Sequence, residues 1–466
     1  MKKNNWFFII FIFSLSIFSL SFFKVDPDYL WHIKAGEYMF HHGLLTKDIF
    51  SWSVVSHYWM SHEWLFEIII YSLKSLFGKY HLFIYCFSCI CFLMFTIYFG
   101  IREHIQKNAL FSILWLFCSV ILCISVQGRP QMISNCLVAL TFYFLYDLYQ
   151  NENSKKIYFL PIITILWANV HGGSSNLPYL LCFIFMIAGI FQFKFSKIEA
   201  TRISKKQFIK YFVTALLCMV CVCINLHGFK MFIYPYENMM DSTMLNNISE
   251  WRNTSLSEGF HYIYFALLLF IICIFLFSKK KINFMDFIIL GFCTYLGLKS
   301  IRFWFYTYII MSFIVFHYVG KRKEEKGTKF GLVVLSIIFV GLFAFRGNQI
   351  IHPKYSFLLS KKDINAIKKE NPQRLFNMYN YGGDLVYNDI PVFIDGRADL
   401  YGKYNYKDYL NIASLKEDYV SLIDKYDFDY FLVDKNYSIS TYLKYNSNYQ
   451  LIYKNKKVLL YKKRTD

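Results

Sequence analysis

The chain alternates between long apolar runs and short polar segments along most of its length. A helix needs about 20 apolar residues to cross the hydrocarbon core of a bilayer, and runs near that length recur between residues 6 and 346. A shorter run, Trp64–Phe77, carries Glu67 and Lys74 and is predicted to be a helix lying in the membrane interface. The pattern predicts about eleven transmembrane helices, at 6–23, 81–100, 109–126, 134–149, 157–170, 177–193, 208–225, 260–278, 283–298, 303–319 and 330–346.

The positions of Lys and Arg indicate which loops face the cytoplasm. If the 64–77 helix does not cross the membrane, the basic loops all fall on one side, which the positive-inside rule assigns to the cytoplasm. The N-terminus is then cytoplasmic, and the net charge of +19 is explained without nucleic acid as a partner. The basic segments are Lys2/Lys3, Arg102/Lys107, Lys155/Lys156, 194–210, 279–281 and 321–329.

The opposite face of the membrane collects the chemically distinctive segments. Charge counting places them together without using any motif, and therefore predicts a site on the non-cytoplasmic face of a multi-pass cell-membrane protein. These segments are the loop 24–80, the motifs at 127–130, 167–173, 225–228, 248–251 and 299–303, and the tail 347–466.

The composition changes after residue 346, where Lys, Asp, Asn and Tyr replace the apolar runs. We expect a transmembrane domain at 1–346, with 24–80 as its first outer loop, followed by a small extracytoplasmic α/β domain at 347–466. Inside the tail, the pattern predicts a helix at 360–369, strands at 391–395 and 429–434, and a hairpin formed by 450–453 and 457–462.

Two carboxylates, Asp26 and Asp28, follow the first predicted span immediately. Inverting glycosyl transfer needs a carboxylate that takes a proton from the acceptor hydroxyl. A second carboxylate can raise the pKa of the first or share a divalent cation, for which Mg²⁺ and Mn²⁺ are the candidates. The alternative is a capping role at the start of a helix, for which Asp28 is well placed.

Cationic side chains stand at the outer ends of several spans, namely Arg129, His171 and Arg302. The arginine fork matches phosphate oxygens, so these residues are candidates for holding the phosphate of a lipid-linked donor. The alternative for each arginine is snorkelling from a helix end into the interface. Asn169 and Glu250 are candidates for binding sugar hydroxyls or for capping helix ends.

Histidine and cysteine do not predict a metal site. The four histidines between residues 41 and 62 show no specific ligand spacing. All twelve cysteines lie inside apolar runs, which indicates neither a disulfide framework nor a zinc site.

These motifs resemble the GT-C superfamily of membrane glycosyltransferases, whose members combine many spans, an acidic motif in the first outer loop, interfacial helices and often a soluble C-terminal domain. The combination is similar to a group of bacterial polytopic membrane proteins with Asp26-Pro27-Asp28, Trp167-x-Asn169-x-His171-Gly172 and Asp395-Gly396-Arg397 motifs. The resemblance implies that Asp28, or Asp26 in its place, is the catalytic base. The predicted substrate-binding residues are Arg129, Arg302, His171, Asn169, Glu250, Glu63 and His32.

The expected function is transfer of a sugar from a polyprenyl-phosphate-linked donor to a glycan, lipid or protein acceptor of the cell envelope. The alternatives are a transporter or flippase of a lipid-linked glycan, and a non-catalytic membrane protein of envelope assembly. A transporter would concentrate ionisable residues near the midplane of the bilayer, whereas here they gather at one face.

Overall fold

The computed structural model describes residues 6–23, 26–105, 111–116, 126–240, 251–319, 328–346, 350, 358–402 and 404–464. The chain divides into two compact units. The helical unit comprises Met1–Lys24 and Lys79–His352. The mixed unit comprises Val25–Gly78 and Pro353–Asp466.

Helices dominate the described residues, and we number them in chain order. The first thirteen are α1 Trp6–Ser19, α2 Asp28–His42, α3 Trp64–Phe77, α4 His81–Ile105, α5 Gln131–Gln150, α6 Leu160–Val170, α7 Leu177–Gly189, α8 Lys205–Val222, α9 Phe229–Met240, α10 Tyr262–Phe277, α11 Phe284–Lys299, α12 Trp304–Ile314 and α13 Thr328–Arg346. Six further helices follow: α14 Lys361–Glu370, α15 Gly382–Tyr387, α16 Ala398–Tyr401, α17 Tyr406–Ser414, α18 Tyr419–Tyr426 and α19 Ser438–Tyr445.

Ten of the eleven predicted spans coincide with helices of the helical unit, and the run at 109–126 lies mostly outside the described residues. Within the described residues, four helical stretches are long and apolar enough to cross a membrane: Trp64–Arg102, Gln131–Gln150, Gly172–Gly189 and Gly259–Phe277. Shorter apolar helices occupy Trp6–Phe22, Lys156–Val170, Ile301–His317 and Phe330–Arg346. The structure thus supports a helical membrane protein, and the number of spans stays a prediction.

The helical unit is held together by apolar side chains and by close helix contacts at small residues. α1 packs against α13 and α4, and α5 packs against α4, α6, α7 and α12. Gly297 of α11 lies against the ring of Tyr264, leaving no space for a Cβ atom, and that ring stacks on Trp304 at 5.3 Å between centroids. A small sheet orders β1 Phe193–Phe195, β2 Ile198–Ala200 and β3 Ile282–Asn283.

The mixed unit is built around a four-stranded sheet with the order β4-β5-β7-β6. β4 pairs with β5 in parallel, while β5–β7 and β6–β7 are antiparallel. The helix expected at 360–369, the strand at 429–434 and the final hairpin are all present. The strands are β4 Leu375–Asn377, β5 Tyr430–Asp434, β6 Tyr449–Lys454 and β7 Val458–Lys463.

The first outer loop belongs to this mixed unit. The sequence grouped 24–80 with the spans because the loop lies between them in the chain, but its side chains pack against the C-terminal segment. The indole nitrogen of Trp52 donates to the carbonyl of Leu375 at 3.0 Å, and the hydroxyl of Ser53 donates to the carbonyl of Phe393 at 2.6 Å. Two segments far apart in sequence therefore share one core.

The strand predicted at 391–395 is not formed, and this expectation is wrong. Only Val392 makes an isolated bridge, to Ser51. The remaining backbone groups bond to side chains: Asn377 accepts from the N–H of Phe393 at 2.8 Å and donates to the carbonyl of Ile394 at 2.7 Å. Because these groups are satisfied individually, the apolar run stays an irregular buried segment.

Helix α3 confirms the helix predicted at 64–77. It buries Phe66, Glu67 and Ile70 and ends at Gly78, whose φ of 52° is a backbone conformation that favours glycine. Its position in the membrane interface stays a prediction.

Candidate functional site

The N-terminus of α2 separates the roles of the two aspartates. The carboxylate of Asp26 accepts the backbone N–H of Asp28 at 2.8 Å and is buried. Asp26 therefore satisfies one of the free N–H groups at the helix start, the capping role that the sequence had offered to Asp28. Asp28 is the first residue of α2, where the helix dipole favours a negative charge.

The Asp28 carboxylate lies against Gly396. A Cβ atom at Gly396 would overlap the Oδ1 and Cγ atoms of Asp28 and the indole nitrogen of Trp31, so a larger residue here would displace the Asp28 carboxylate. Trp31 is 5% exposed, and its indole N–H has no acceptor among the described residues. The start of α2 thus places a carboxylate and an unsatisfied N–H group around one glycine.

A chain of histidines and carboxylates continues from Trp31 between α2 and α3. His32 contacts Glu67 at 3.3 Å through Nδ1 and Glu63 at 3.5 Å through Nε2. His62 contacts Glu63 at 3.3 Å and Asp399 at 3.6 Å. Burial alone would lower the pKa of His62, but Glu63 and Asp399 outweigh it and raise that pKa to about 10.

A buried ion cluster holds the loop that carries Gly396. Arg397 donates to both oxygens of Asp395, from Nε at 2.9 Å and from Nη2 at 2.7 Å, and to Asp48 at 2.5 Å. The Tyr401 hydroxyl adds a bond to Asp395 at 3.0 Å, and the guanidinium lies 4.7 Å from the ring centre of Trp59. The Asp395-Gly396-Arg397 motif therefore anchors the backbone that touches Asp28.

The paired glycines at 382 and 383 are also sites of close packing. A Cβ atom at Gly383 would overlap the carbonyl of Pro27, and one at Gly382 would overlap the backbone of Asp395. These two contacts fix α15 against the start of α2 and against the Asp395 loop. Next to them, burial raises the pKa of Asp384 to about 7, although its Oδ2 accepts the N–H of Leu358 at 3.1 Å.

The helical unit brings His171 and Arg302 together at the start of α5. Nη2 of Arg302 donates to Nε2 of His171, since the guanidinium is always protonated. Nδ1 of His171 then carries the hydrogen and donates to Ser134 Oγ at 2.6 Å, which also accepts from Trp167 at 2.9 Å. The guanidinium lies 5.3 Å from the ring centre of Trp251, a cation–π contact.

The other predicted residues of this unit have more structural roles. The amide nitrogen of Asn169 donates to the carbonyls of Ile165 at 2.7 Å and Ile224 at 2.9 Å. Arg129 lies two residues before α5, and its carbonyl accepts the hydroxyl of Tyr85 at 2.7 Å. Glu250 lies outside the described residues.

The structure therefore groups the predicted residues in two sets. Asp26, Asp28, His32 and Glu63 share the mixed unit, whereas Arg129, Asn169, His171 and Arg302 belong to the helical unit.

Sequence reasoning did not assign a role in the site to Trp31, His62, Glu67 or Asp399. Glu67 could have been found, since a carboxylate one helical turn after Glu63 in an apolar helix must have a buried partner. The described part of the chain holds no group of three or more His, Cys, Asp or Glu side chains arranged to bind a metal.

Comparisons of the sequence with known proteins find no relative. No protein-family model matches the sequence. No curated protein matches it either.

Solved structures of the oligosaccharyltransferase of Archaeoglobus fulgidus are similar to the chain. The enzyme AglB in complex with an inhibitory peptide and a dolichol-phosphate gives a TM-score of 0.55 at 11% identity, covering 93% of this chain and 70% of that one. The apo form gives 0.52 at 11% identity with the same coverage. The complex with Zn and sulfate gives 0.50 at 12% identity, covering 91% and 68%. The chain therefore shares its fold with this oligosaccharyltransferase.

Proposed function

We propose that this chain is a membrane glycosyltransferase that moves a sugar from a polyprenyl-phosphate-linked donor to a cell-envelope acceptor on the non-cytoplasmic face. The observation that carries the proposal is a shared fold extending over 93% of the chain with an enzyme that was solved with a dolichol-phosphate and a peptide. Fold alone does not fix the reaction, so the assignment of roles rests on the side chains of the two units.

Asp28 is the proposed base. As the acceptor hydroxyl oxygen attacks the anomeric carbon, Asp28 takes the hydroxyl proton, the carbon–oxygen bond to phosphate breaks, and the phosphate leaves with the bonding electrons. Attack opposite the leaving group inverts the anomeric centre. Asp28 is preferred to Asp26 because the latter accepts the first helical N–H. The unsatisfied N–H of Trp31 is the proposed donor to a substrate oxygen, since an unpaired buried donor costs about 1–3 kcal/mol.

Arg302 and His171 are the proposed phosphate ligands, with Arg129 as a further cation. A guanidinium fork bonds two phosphate oxygens and stabilises the charge that develops on the leaving group. Nε2 of His171 accepts from Arg302, so a phosphate arriving there would compete with His171 for the Arg302 N–H groups, and His171 itself would donate to the phosphate only when protonated at Nε2. His32, Glu63, Asn169 and Glu250 stay proposed substrate contacts.

A divalent cation, if the enzyme uses one, would bind together with the phosphate of the donor. Mg²⁺ and Mn²⁺ are commonly held by one or two carboxylates together with substrate phosphates, so a site completed by the donor needs no protein cluster of three ligands. The roles of Asp28 and Arg302 given above do not depend on such an ion.

The experiment compares carrier lipids and surface glycans in a deletion strain complemented with single variants. Wild type and the exposed control Asp418→Asn should restore the glycan profile. Asp28→Asn should leave polyprenyl-phosphate sugar accumulated, with transfer reduced about 10²–10⁴-fold, because it removes general-base catalysis. Asp26→Asn keeps a capping oxygen and should lose less activity. Full complementation by Asp28→Asn at normal membrane abundance would overturn the assignment of the base.

A further inference from the structure

The mixed unit contains a cleft at a different position from the Asp28 carboxylate. This cleft has a volume of about 440 Å³ and is lined by the last turns of α2, by residues 49–50 and by residues 386–391. That volume falls within the range of about 300–1,000 Å³ that is typical of small-molecule sites.

The cleft and the proposed base occupy different faces of one helix. The α2 residues in the cleft wall, 34, 37, 38, 41 and 42, recur at the spacing of a single helix face. They stand 6 to 14 positions after Asp28, which at about 1.5 Å per residue is roughly 9–21 Å along the axis. A molecule in the cleft would be held away from the reacting atoms by a rigid helix that also carries the base.

The charges of the cleft disfavour an anionic ligand. Lys34 contacts Asp389 at 2.8 Å and Glu37 at 3.0 Å, so its charge is already neutralised by two carboxylates. These carboxylates outweigh the effect of burial and raise the pKa of Lys34, which keeps it protonated. Asp389 has a φ of 60°, an uncommon conformation for a residue other than glycine. This paired set offers hydrogen-bond donors and acceptors with little positive charge left for a phosphate.

Apolar surface lies beside these polar groups. The rings of Tyr38 and Phe50 and the side chain of Ile390 share the wall with the Lys34 cluster. Sugar rings present the matching surface, with apolar C–H faces and a rim of hydroxyls that both donate and accept. Aromatic faces and charged planar groups therefore suit a neutral polyhydroxyl ligand better than a lipid or an anion.

We propose that this cleft binds neutral sugar units of a glycan substrate at a distance from the reaction centre. The inference rests on the proposed function and deepens it, because binding energy from remote sugar units can orient the reacting hydroxyl or donor. The glycan belongs either to the acceptor or to the lipid-linked donor, and both present the same chemistry to the cleft.

Saturation-transfer NMR on the full-length protein in detergent tests the cleft without requiring turnover. The probes are maltotetraose, chitotetraose and mannotetraose. At least one of these oligosaccharides should receive saturation at its ring C–H groups. Tyr38→Ala should weaken the affinity for that oligosaccharide about 3–10-fold, the loss expected for one aromatic contact. Asp389→Asn, which tolerates the same backbone conformation, should also weaken it. The matched controls are Tyr445→Ala, at a side chain 77% exposed, and Asp418→Asn, at another positive φ.

Each outcome separates the cleft from the proposed base. Binding that persists in Asp28→Asn but falls in Tyr38→Ala supports the cleft whatever the reaction is. Absence of binding to all three probes, equal binding by Tyr38→Ala, or displacement of the glycan by inorganic phosphate would overturn it. In the transfer assay, a higher KM for the acceptor in Tyr38→Ala assigns the glycan to the acceptor, and a higher KM for the donor assigns it to the donor.

Discussion

The helical and mixed units use polar side chains in different ways. In the helical unit, many hydroxyls simply bond the carbonyl one turn earlier, as Ser16, Thr164 and Ser312 do. In the mixed unit, polar side chains bond each other across great separations in sequence: Arg397 and Asp48 are 349 residues apart. Apolar periodicity therefore locates the helices of the first unit, although not its pair His171–Arg302, whereas the fold of the second unit depends throughout on pairings that no local pattern contains.

This difference predicts where single substitutions do most damage. Truncating one side chain of a buried ion cluster leaves its charged partners buried and unpaired, which strongly lowers stability. Adding a methyl group on a helix surface changes stability little.

Arg397→Ala should unfold or strongly destabilise the mixed unit. The substitution leaves Asp395 and Asp48 buried without their cation. Removing one partner of a buried ion pair lowers the free energy of unfolding by about 3–5 kcal/mol. The measurement is limited proteolysis with thermal unfolding of the purified protein in detergent.

The control for that variant is Arg374→Ala, in which an exposed arginine loses an exposed contact with Asp427. It should leave the melting temperature nearly unchanged. If both variants melted like wild type, the buried cluster would not be the anchor of the loop.

Gly396→Ala and Gly291→Ala form a matched pair across the two units. At Gly396 the new methyl group meets the Asp28 carboxylate, so we expect a loss of about 1–3 kcal/mol in stability and a large loss of transfer. At Gly291, in α11, nothing lies within 4 Å, so alanine should be neutral or stabilise by about 0.5–1 kcal/mol. Unfolding and transfer measured on both variants check the pair, and equal effects would contradict the close contact at Asp28.

The pH dependence of the mixed unit tests the histidine–carboxylate contacts between α2 and α3. The pKa of His62 rises from 6.5 to about 10 in the folded protein, so the folded state holds a proton that the unfolded chain releases. Its stabilising contribution is complete below pH 6.5 and is lost as the pH rises through 10. Melting temperatures between pH 6 and 10 should fall for wild type and fall less for His62→Gln. If the melting temperatures of wild type and His62→Gln fell in parallel, Glu63 and Asp399 would not be keeping His62 protonated.

Sequence reasoning succeeded where local physics decides the outcome. It located ten helices from apolar length, the short helix at 360–369, and the hairpin at the end of the chain. It failed at 391–395, since a short apolar run cannot show that Asn377 and Phe50 will bond that backbone.

The candidate site shows the same division. Asp28 was found because it stands with Asp26 directly after the first predicted span, where the resemblance to GT-C glycosyltransferases implies a catalytic base. The roles of Gly396 and Arg397 required knowing that residues 26–78 and 358–464 share a core. The pairing of His171 with Arg302 depends on how α5, α6 and the start of α12 pack, which composition does not reveal.

The proposed function requires the residues of both units to act in one compartment outside the cytoplasm. Exposed Lys47 of the mixed unit and exposed Lys299 of the helical unit report on it after replacement by cysteine, with wild type giving the background of the native cysteines. In intact cells, a membrane-impermeant maleimide should label both Lys47→Cys and Lys299→Cys, and should label Lys194→Cys only after lysis. Labelling of Lys47→Cys and Lys299→Cys from opposite sides of the membrane would rule out the proposed function.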